Sequence, residues 1–291
     1  MMSLFDQRLR QASQTNDSML CVGLDPDPKY MRKPQDVVAF NYLLIEATQD
    51  IACAYKPNLA LYESFEFSGQ EALRSALDTI RQLNPLIPII GDAKRGDIGN
   101  CGEAYAKTLF EEYTFDAVTV NPYMGKEAVD PFLRYEDKGI YVLCRTSNPG
   151  GKDLQELTVV GHHGSGPHPL YEAVAQLAHT WNGNGNVGLV VGATYPEQMS
   201  RIRNICPNMN FLIPGIGFQG GDLFGTVKGA IDNKGGGFTI NASRQIMYAA
   251  FDNEKNLLKD ASDRMRQVAL GLRDKINEYM KACEPCLPAP S

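Results

Sequence analysis

Two aspartates and a lysine, Asp92, Lys94 and Asp97, stand within six residues, directly after the apolar run 86–90. The run predicts a buried strand. Residues two apart on an extended backbone point the same way, so we expect Asp92 and Lys94 to project together. Burying charges is costly unless they are paired. The motif therefore indicates either a functional cluster of paired charges or, on its own, a solvated turn with an ordinary ion pair.

Lys56 is the one charged residue in an otherwise apolar run, 52–60. A lone lysine can extend its stem to the surface, and that alternative stays open. In the interior of a closed sheet it would instead need a carboxylate partner, for which Asp92 and Asp97 are the candidates. An alternating Lys-Asp-Lys-Asp cluster would keep each charge ionised despite partial burial.

Two later segments have residue types suited to a phosphate. Several glycines lie between Ile213 and Asp222, and Ser243-Arg244 follows the next apolar run. Glycines let backbone N–H groups approach an anion. A helix N-terminus and an arginine both suit a dianion. We predict a phosphate site here, with a flexible turn as the alternative.

The segment 145–151 opens a long loop that runs to about His168. Loops of this length are often functional, and Ser147 could bind a ligand or cap a helix. The Gly- and Pro-rich surroundings of His162, His163 and His168 favour an exposed loop over a metal site. Cys283 and Cys286 form a CxxC pair without a second ligand pair nearby, so no metal site is predicted there.

Apolar runs alternate with helical patterns along the whole chain. The runs are 19–24, 52–60, 86–90, 117–120, 140–144, 187–191, 211–213 and 238–240; the helical patterns include 37–48, 70–83, 102–112, 169–181, 196–205 and 253–281. Eight strand–helix units predict an α/β fold, a closed (β/α)₈ TIM barrel. A doubly wound open sheet is the competitor, but its glycine fingerprint is absent after the first run.

We expect one domain over residues 1–291, with a short N-terminal helix and a frayed C-terminal tail that contains proline and cysteine. The active site of such a barrel lies on the loops that follow its strands. Polar residues of functional types recur at those positions: Asp25, Lys56, Asn58, Asp92, Lys94, Asn121, Ser147, Gln219 and Arg244.

Composition narrows the class of protein. The formal charge of −6 argues against a nucleic-acid surface. No apolar stretch approaches the roughly 20 residues of a membrane span, and the first ten residues do not resemble a secretory signal. We therefore expect a cytoplasmic protein whose seven cysteines are reduced thiols.

Together these segments resemble the orotidine 5′-phosphate decarboxylases, over nearly the whole chain from Gly23 to Arg244. The motifs that carry the resemblance are Asp92-x-Lys94-x-x-Asp97-Ile98, Lys56-Pro57-Asn58, Thr146-Ser147-Asn148-Pro149-Gly150 and Pro214-Gly215-x-Gly217-x-Gln219-Gly220-Gly221-Asp222. The second and third motifs have the form of the longer, bacterial-type subgroup.

The resemblance implies conversion of orotidine 5′-phosphate to uridine 5′-phosphate in pyrimidine synthesis, without metal or cofactor. Lys94, held as the ammonium by Asp92 and Asp97, would stabilise the carbanion at C6 and then protonate it as general acid. Asp92 would lie near the substrate carboxylate. Lys56 would orient Asp92 and contact the ribose.

The same resemblance implies the binding residues. Asp25 would bind ribose hydroxyls, Ser147 and Gln219 the pyrimidine edge, and Gln219 and Arg244 the phosphate. Gly217, Ser243 and Asn121 complete the set of substrate-binding candidates.

Within the family the second aspartate of the motif enters the neighbouring subunit's site, so the resemblance implies a homodimer with Asp97 acting in trans. Two positions depart from the family pattern. Cys101 stands where a threonine commonly reaches the ribose, so we expect weaker ribose binding or a substitute contact there. Ser243 replaces a glycine, which should leave its backbone N–H available.

Three alternatives remain. Related barrels use Mg²⁺ to decarboxylate or condense sugar phosphates, but would need further carboxylates in place of the Lys56 environment. A Schiff-base aldolase would need a deprotonated Lys94, whereas flanking aspartates raise a lysine pKa. A non-catalytic phosphate-binding barrel would be expected to lack part of the Lys-Asp-Lys-Asp set.

Overall fold

The structure is a computed structural model, and it describes residues 3–31, 33–160, 166–216 and 222–283. In chain order its strands are β1 (Leu20–Leu24), β2 (Ala54–Pro57), β3 (Ile90–Arg95), β4 (Ala117–Val120), β5 (Gly139–Arg145), β6 (Thr158–Val159), β7 (His168–Pro169), β8 (Val187–Val191), β9 (Phe211–Ile213) and β10 (Phe238–Ala242). The very short strands β6 and β7 form a separate antiparallel pair.

The other eight strands form one parallel sheet that curls into a barrel. Their order is β2-β1-β10-β9-β8-β5-β4-β3. Parallel bridges from Tyr55 to Ile89 and from Asn58 to Asp92 connect the two ends of this order, so that β2 lies beside β3. The (β/α)₈ barrel predicted from the sequence is confirmed.

Most of the described helices cover the outside of the sheet. The helices are α1 (Leu4–Thr15), α2 (Pro34–Thr48), α3 (Leu59–Glu63), α4 (Glu66–Leu83), α5 (Gly99–Lys107), α6 (Asp130–Leu133), α7 (Lys152–Gln155), α8 (Leu170–Trp181), α9 (Pro196–Ile205), α10 (Leu223–Ala230), α11 (Arg244–Tyr248) and α12 (Ala261–Cys283). A π-helical turn, Thr108–Glu112, continues α5. Their apolar faces pack on the strands in one large core.

Three predicted boundaries differ clearly from the structure. The second run, 52–60, forms a strand only over Ala54–Pro57, and Leu59 already begins a helix. The third strand begins at Ile90 and continues through Arg95, because Asp92 and Lys94 neutralise each other and can stay in the sheet. The last helix begins at Ala261 instead of residue 253. Asp252 ends the preceding segment in a turn, since its Oδ1 accepts hydrogen bonds from the backbone N–H groups of Glu254 (2.8 Å) and Asn256 (2.9 Å).

The N-terminal helix α1 closes the floor of the barrel, the end at which the strands begin. Its Phe5 and Leu9 pack among interior strand residues, and the Phe5 ring meets the Tyr141 ring edge-on at 5.9 Å. Arg8 pairs with the buried carboxylate of Asp116, which also accepts a hydrogen bond from Arg81 (2.7 Å). The helix predicted at the N-terminus thus forms part of the barrel core.

None of the described helices is long and apolar enough to cross a membrane. The predicted tail, residues 284–291 with Cys286, lies outside the described residues.

Candidate active site

A cavity of about 610 Å³ opens at the carboxyl ends of the barrel strands. Five of the charged side chains that line it come from the carboxyl ends of four strands, β1, β2, β3 and β10: Asp25, Lys56, Asp92, Lys94 and Arg244. The parallel sheet explains this convergence, because all its strands end on the same face. Each of these residues is a candidate from the sequence.

Lys56, Asp92 and Lys94 form a continuous chain of ion pairs. Lys56 Nζ lies 2.8 Å from Asp92 Oδ2, and Lys94 Nζ lies 2.6 Å from Asp92 Oδ1. The Lys56 and Asp92 side chains are buried, whereas that of Lys94 is 49% exposed. The aspartate therefore holds one ammonium in the wall and presents the other to the cavity.

Burial and ion pairing shift the pKa values of Lys56 and Asp92 in opposite directions. Burial by itself would lower the pKa of Lys56, but the Asp92 and Asp25 carboxylates outweigh it and raise that pKa above its usual value. Burial would raise the pKa of Asp92, but Lys56 and Lys94 outweigh it and hold that pKa well below its usual value. Lys56 and Asp92 are thus both charged at neutral pH.

Thr119 on β4 also contacts Asp92, and this site residue was not predicted from the sequence. Its buried hydroxyl donates a hydrogen bond to Asp92 Oδ1 (3.0 Å) and accepts one from the backbone N–H of Lys94 (2.9 Å). The only signal for it would have been a hydroxyl in the apolar run 117–120, and threonine is common in strands for its branched shape alone.

The backbone at Lys94 lies in the left-handed region, with φ at +48°. The register between β3 and β4 shifts between Gly91 and Arg95, so a bulge surrounds this lysine. A non-glycine residue in that region costs about 1 kcal/mol or more and persists only where its surroundings enforce it. Here the hydrogen bond from the Lys94 N–H to Thr119 helps to hold it.

Asp25, at the end of β1, pairs with Ser243, whose hydroxyl donates a short hydrogen bond to Asp25 Oδ2. The other oxygen, Oδ1, is buried and makes no hydrogen bond within the described chain. Gly23 makes room for the contact, because a Cβ there would lie 2.1 Å from Ser243 Oγ. A serine at 243 therefore orients Asp25 and leaves one of its oxygens for a ligand.

Arg244 lines the cavity beside Gln245 and Tyr248. The Tyr248 hydroxyl donates a hydrogen bond to Asp27 Oδ2 (2.7 Å) and so connects α11 to the loop after β1. Gly217 and Gln219, the other residues predicted for the phosphate and the base, lie outside the described residues.

Ser147 lines the opposite side of the cavity, with Thr146 and Asn148. Its backbone lies against Gly192, where a Cβ would come within 2.7 Å of the Ser147 N and Cα atoms. Its carbonyl accepts a hydrogen bond from the Thr194 hydroxyl (3.3 Å). The side chain of Ser147 is half-buried and faces the cavity without capping a described helix.

Asp97 and Asn121 do not line the cavity of their own chain. Asp97 is half-buried and accepts a hydrogen bond from the N–H of Ile98 (2.8 Å). Asn121 is exposed and accepts one from the N–H of Tyr123 (3.0 Å). Of the proposed four-member charge cluster, this chain assembles three members by itself.

Asn241 on β10 is a second site residue that was not predicted from the sequence. It lines the cavity, is 7% exposed, and its Oδ1 makes no hydrogen bond to any described residue. A buried amide oxygen without a partner is costly, and a ligand hydroxyl or N–H would satisfy it.

The histidines divide between described and undescribed parts of the chain. His162 and His163 lie outside the described residues. His168 was expected in an exposed loop, and this was wrong: it is buried in β7, with Nδ1 2.7 Å from the Gly166 carbonyl oxygen. Within the described ranges, no group of three or more His, Cys, Asp or Glu side chains could hold a metal ion.

Comparison with known proteins gives consistent matches. The family model described as "Orotidine 5′-phosphate decarboxylase / HUMPS family" matches residues 18–259. The orotidine 5′-phosphate decarboxylase of Azoarcus sp. (strain BH72) is 46% identical over 281 residues, 94% of this chain and 99% of the relative. Among solved structures, the OMP decarboxylase of Leishmania donovani is 39% identical, with a TM-score of 0.81 over 96% of this chain and 99% of that one.

A longer protein also matches. The UMP synthase of Leishmania donovani is 40% identical, with a TM-score of 0.83 over 97% of this chain. The present chain spans 57% of that protein's length.

Proposed function

Because the chain belongs to the orotidine 5′-phosphate decarboxylase / HUMPS family and is a carboxy-lyase that decarboxylates orotidine 5′-phosphate in pyrimidine synthesis, we propose that Lys94 is the general acid of this reaction. The observation that carries the proposal is the ion-pair chain Lys56–Asp92–Lys94 at the mouth of the barrel. It presents one ammonium to the cavity and fixes its position from behind.

The chemistry requires a stabilised carbanion. The bond between C6 of the pyrimidine and its carboxylate carbon breaks, CO₂ leaves, and the electron pair stays on C6. Lys94 Nζ, already charged and placed, stabilises that pair electrostatically without reorganisation. It then transfers a proton to C6 to give uridine 5′-phosphate, and the neutral amine regains a proton from water.

Asp92 has two parts in this proposal. It orients the Lys94 ammonium through the 2.6 Å contact, and its own negative charge lies near the substrate carboxylate, which it disfavours more than the carbanion that replaces it. Lys56 and Thr119 keep the aspartate in place and ionised. Lys94 acts on the reacting carbon, while Lys56 orients Asp92 and contacts the ribose.

The remaining candidates fit the rest of the substrate. Arg244, with Gln219, Gly217 and the Ser243 N–H, binds the phosphate. Asp25 binds ribose hydroxyls through its unpartnered Oδ1, and Ser147 with Gln219 binds the pyrimidine edge. Remote phosphate binding supplies energy to hold C6 against Lys94.

We also propose a homodimer in which Asp97 enters the partner's site. Exposed apolar side chains lie on the segments that follow β3 and β4: Ile98, Tyr105, Tyr123 and Met124. They lie on adjoining segments, since the Asn121 N–H donates a hydrogen bond to the Arg95 carbonyl (2.7 Å). A second copy would cover this surface and complete the charge cluster.

The test is turnover of orotidine 5′-phosphate, followed by its loss of ultraviolet absorbance in the presence of EDTA, for wild type and Lys94→Ala. We expect metal-independent turnover that falls by at least about 10⁴-fold in the variant, because both charge stabilisation and proton donation are lost. Lys107→Ala, on the exposed side of α5, should retain wild-type turnover.

Two outcomes would contradict the proposal. Turnover that persists in Lys94→Ala would remove the lysine from the chemistry. Wild-type turnover that needs Mg²⁺ would favour the mechanism of the sugar-phosphate relatives.

A further inference from the structure

Arg145, at the end of β5, is the most completely buried charged side chain that the structure describes, with 0% exposure. It does not line the cavity. A buried guanidinium is costly unless its donors are all used, so its contacts indicate why the fold retains it.

The Arg145 guanidinium makes contacts in three directions. Nε donates to Gln198 Oε1 (2.5 Å), Nη2 to Glu156 Oε1 (2.7 Å), and Nη1 to both Gln155 Oε1 (3.1 Å) and the Thr146 carbonyl (3.0 Å). Its plane also stacks on the Tyr195 ring, 3.8 Å from the ring centroid. One side chain therefore joins α7 and the residue after it to the loop and helix that follow β8.

These contacts hold Thr146 on both sides of its backbone. Arg145 binds the Thr146 carbonyl, and Gln155 Oε1, itself held by Arg145, accepts the Thr146 N–H (2.9 Å). The next residue is Ser147. Gly151 leaves space for the arrangement, because a Cβ there would lie 2.9 Å from Arg145 Nη1.

We propose that Arg145 is a positioning residue for pyrimidine recognition. It fixes the position of Ser147 through its hydrogen bonds to Thr146 and Gln155, on the side away from the cavity. The inference rests on the proposed function, in which Ser147 binds the pyrimidine edge. Phosphate and ribose are bound on other strands, so Arg145 acts on the base alone.

The test compares Arg145→Lys with wild type for binding of uridine 5′-phosphate and of ribose 5-phosphate, which lacks the base. Lysine keeps the charge but has one ammonium in place of the planar fork, so it cannot reach all four acceptors. We expect the dissociation constant for uridine 5′-phosphate to rise about tenfold, and KM for orotidine 5′-phosphate to rise with it. The dissociation constant for ribose 5-phosphate should change less than about twofold.

The matched control is Arg203→Lys. Arg203 is also buried, stacks on the Phe211 ring at 3.6 Å, and donates to the carbonyls of Ala230, Cys206, Met209 and Gly237 at the floor of the barrel. This change should lower the melting temperature and leave both binding constants within about twofold. A general loss of packing would therefore lower the melting temperature without weakening the binding of uridine 5′-phosphate relative to that of ribose 5-phosphate.

Gln155→Ala serves if Arg145→Lys does not fold, since Gln155 is only half-buried. This variant should also bind uridine 5′-phosphate more weakly, with little change in the binding of ribose 5-phosphate. The inference would be overturned if the dissociation constants of both ligands rose equally. It would also be overturned if neither dissociation constant changed while the wild type is active. A folded wild type that fails to decarboxylate orotidine 5′-phosphate would instead overturn the proposed function.

Discussion

At the scale of single residues, the site depends on a carboxylate between two ammonium groups. Asp92 is ionised because Lys56 and Lys94 outweigh the effect of burial on its pKa. The charged types could be predicted from the sequence, since aspartate and lysine at a buried strand end are unusual. Thr119 could not, because a hydroxyl in an apolar strand has no distinguishing pattern.

Asp92→Asn should destabilise the fold by about 3 kcal/mol at pH 7, because it leaves the buried Lys56 ammonium without its nearest counter-charge. Urea unfolding measures this. Since the folded-state pKa of Asp92 lies below the unfolded value of about 3.9, the difference from wild type should persist above about pH 4 and shrink as the pH falls further.

The double variant Lys56→Met with Asp92→Asn should regain part of this loss, since the unpaired cation is gone. If it is no more stable than Asp92→Asn alone, the unpaired Lys56 ammonium is not the cause of the loss. Asp50→Asn is the exposed control. Its pair with Arg266 (2.6 Å) is at the surface, so the loss should stay below about 1 kcal/mol.

At the scale of elements, the sequence predicted strands best where β-branched and aliphatic residues run together, as in 117–120 and 187–191. It failed for β3, because periodicity cannot show that two opposite charges remain in a strand by pairing. It also could not show that Gln155 and Glu156 fold back onto Arg145, since that contact depends on the course of the loop after β5. The start of α12 also could not be predicted, because it depends on a single turn at Asp252.

The helix α1 should make stability depend on pH through Asp6. Burial raises the pKa of Asp6 to about 6, although Ser3 and Arg10 oppose the change. The folded state thus binds the proton more tightly than the unfolded chain, and this contribution is present below about pH 4 and is lost as the pH rises through 6.

We therefore expect Asp6→Asn to raise the free energy of unfolding at pH 8 by roughly 1 kcal/mol, allowing for partial exposure, with no gain at pH 4. Urea unfolding at the two pH values measures it. Glu71→Gln, an exposed carboxylate on α4, should give the same small change at both. A gain of equal size at pH 4 would show that the effect is not titration of Asp6.

At the scale of the whole molecule, one chain brings together Lys56, Asp92 and Lys94 but leaves Asp97 outside its own cavity. The sequence predicted the closed barrel, since eight strand–helix units have few ways to bury both faces of their sheet. Whether Asp97 acts in the site of a second copy cannot be derived from one chain's pattern, because contacts between subunits follow no sequence period. Mixing inactive variants answers this question.

Lys94→Ala and Asp97→Ala should each be inactive alone and regain about a quarter of wild-type turnover after subunit exchange. Half the dimers would then be mixed, and each would have one intact site of two. The control mixture of Lys94→Ala with Lys56→Ala should stay inactive, because both of those residues belong to the same chain's site. Absence of recovery in the first mixture, with exchange verified, would contradict the in-trans arrangement.

The floor closure by α1 has a consequence for synthesis. Its Arg8 contacts Asp116, which lies 108 residues further along the chain. At a translation rate of about 5–20 residues per second, roughly 5 to 20 seconds pass between the synthesis of Arg8 and that of Asp116. During this time Phe5 and Leu9 have no core to enter, and the nascent barrel has an open end. The helix can complete its contacts only after these partners have been synthesised, so its apolar stripe is exposed until then.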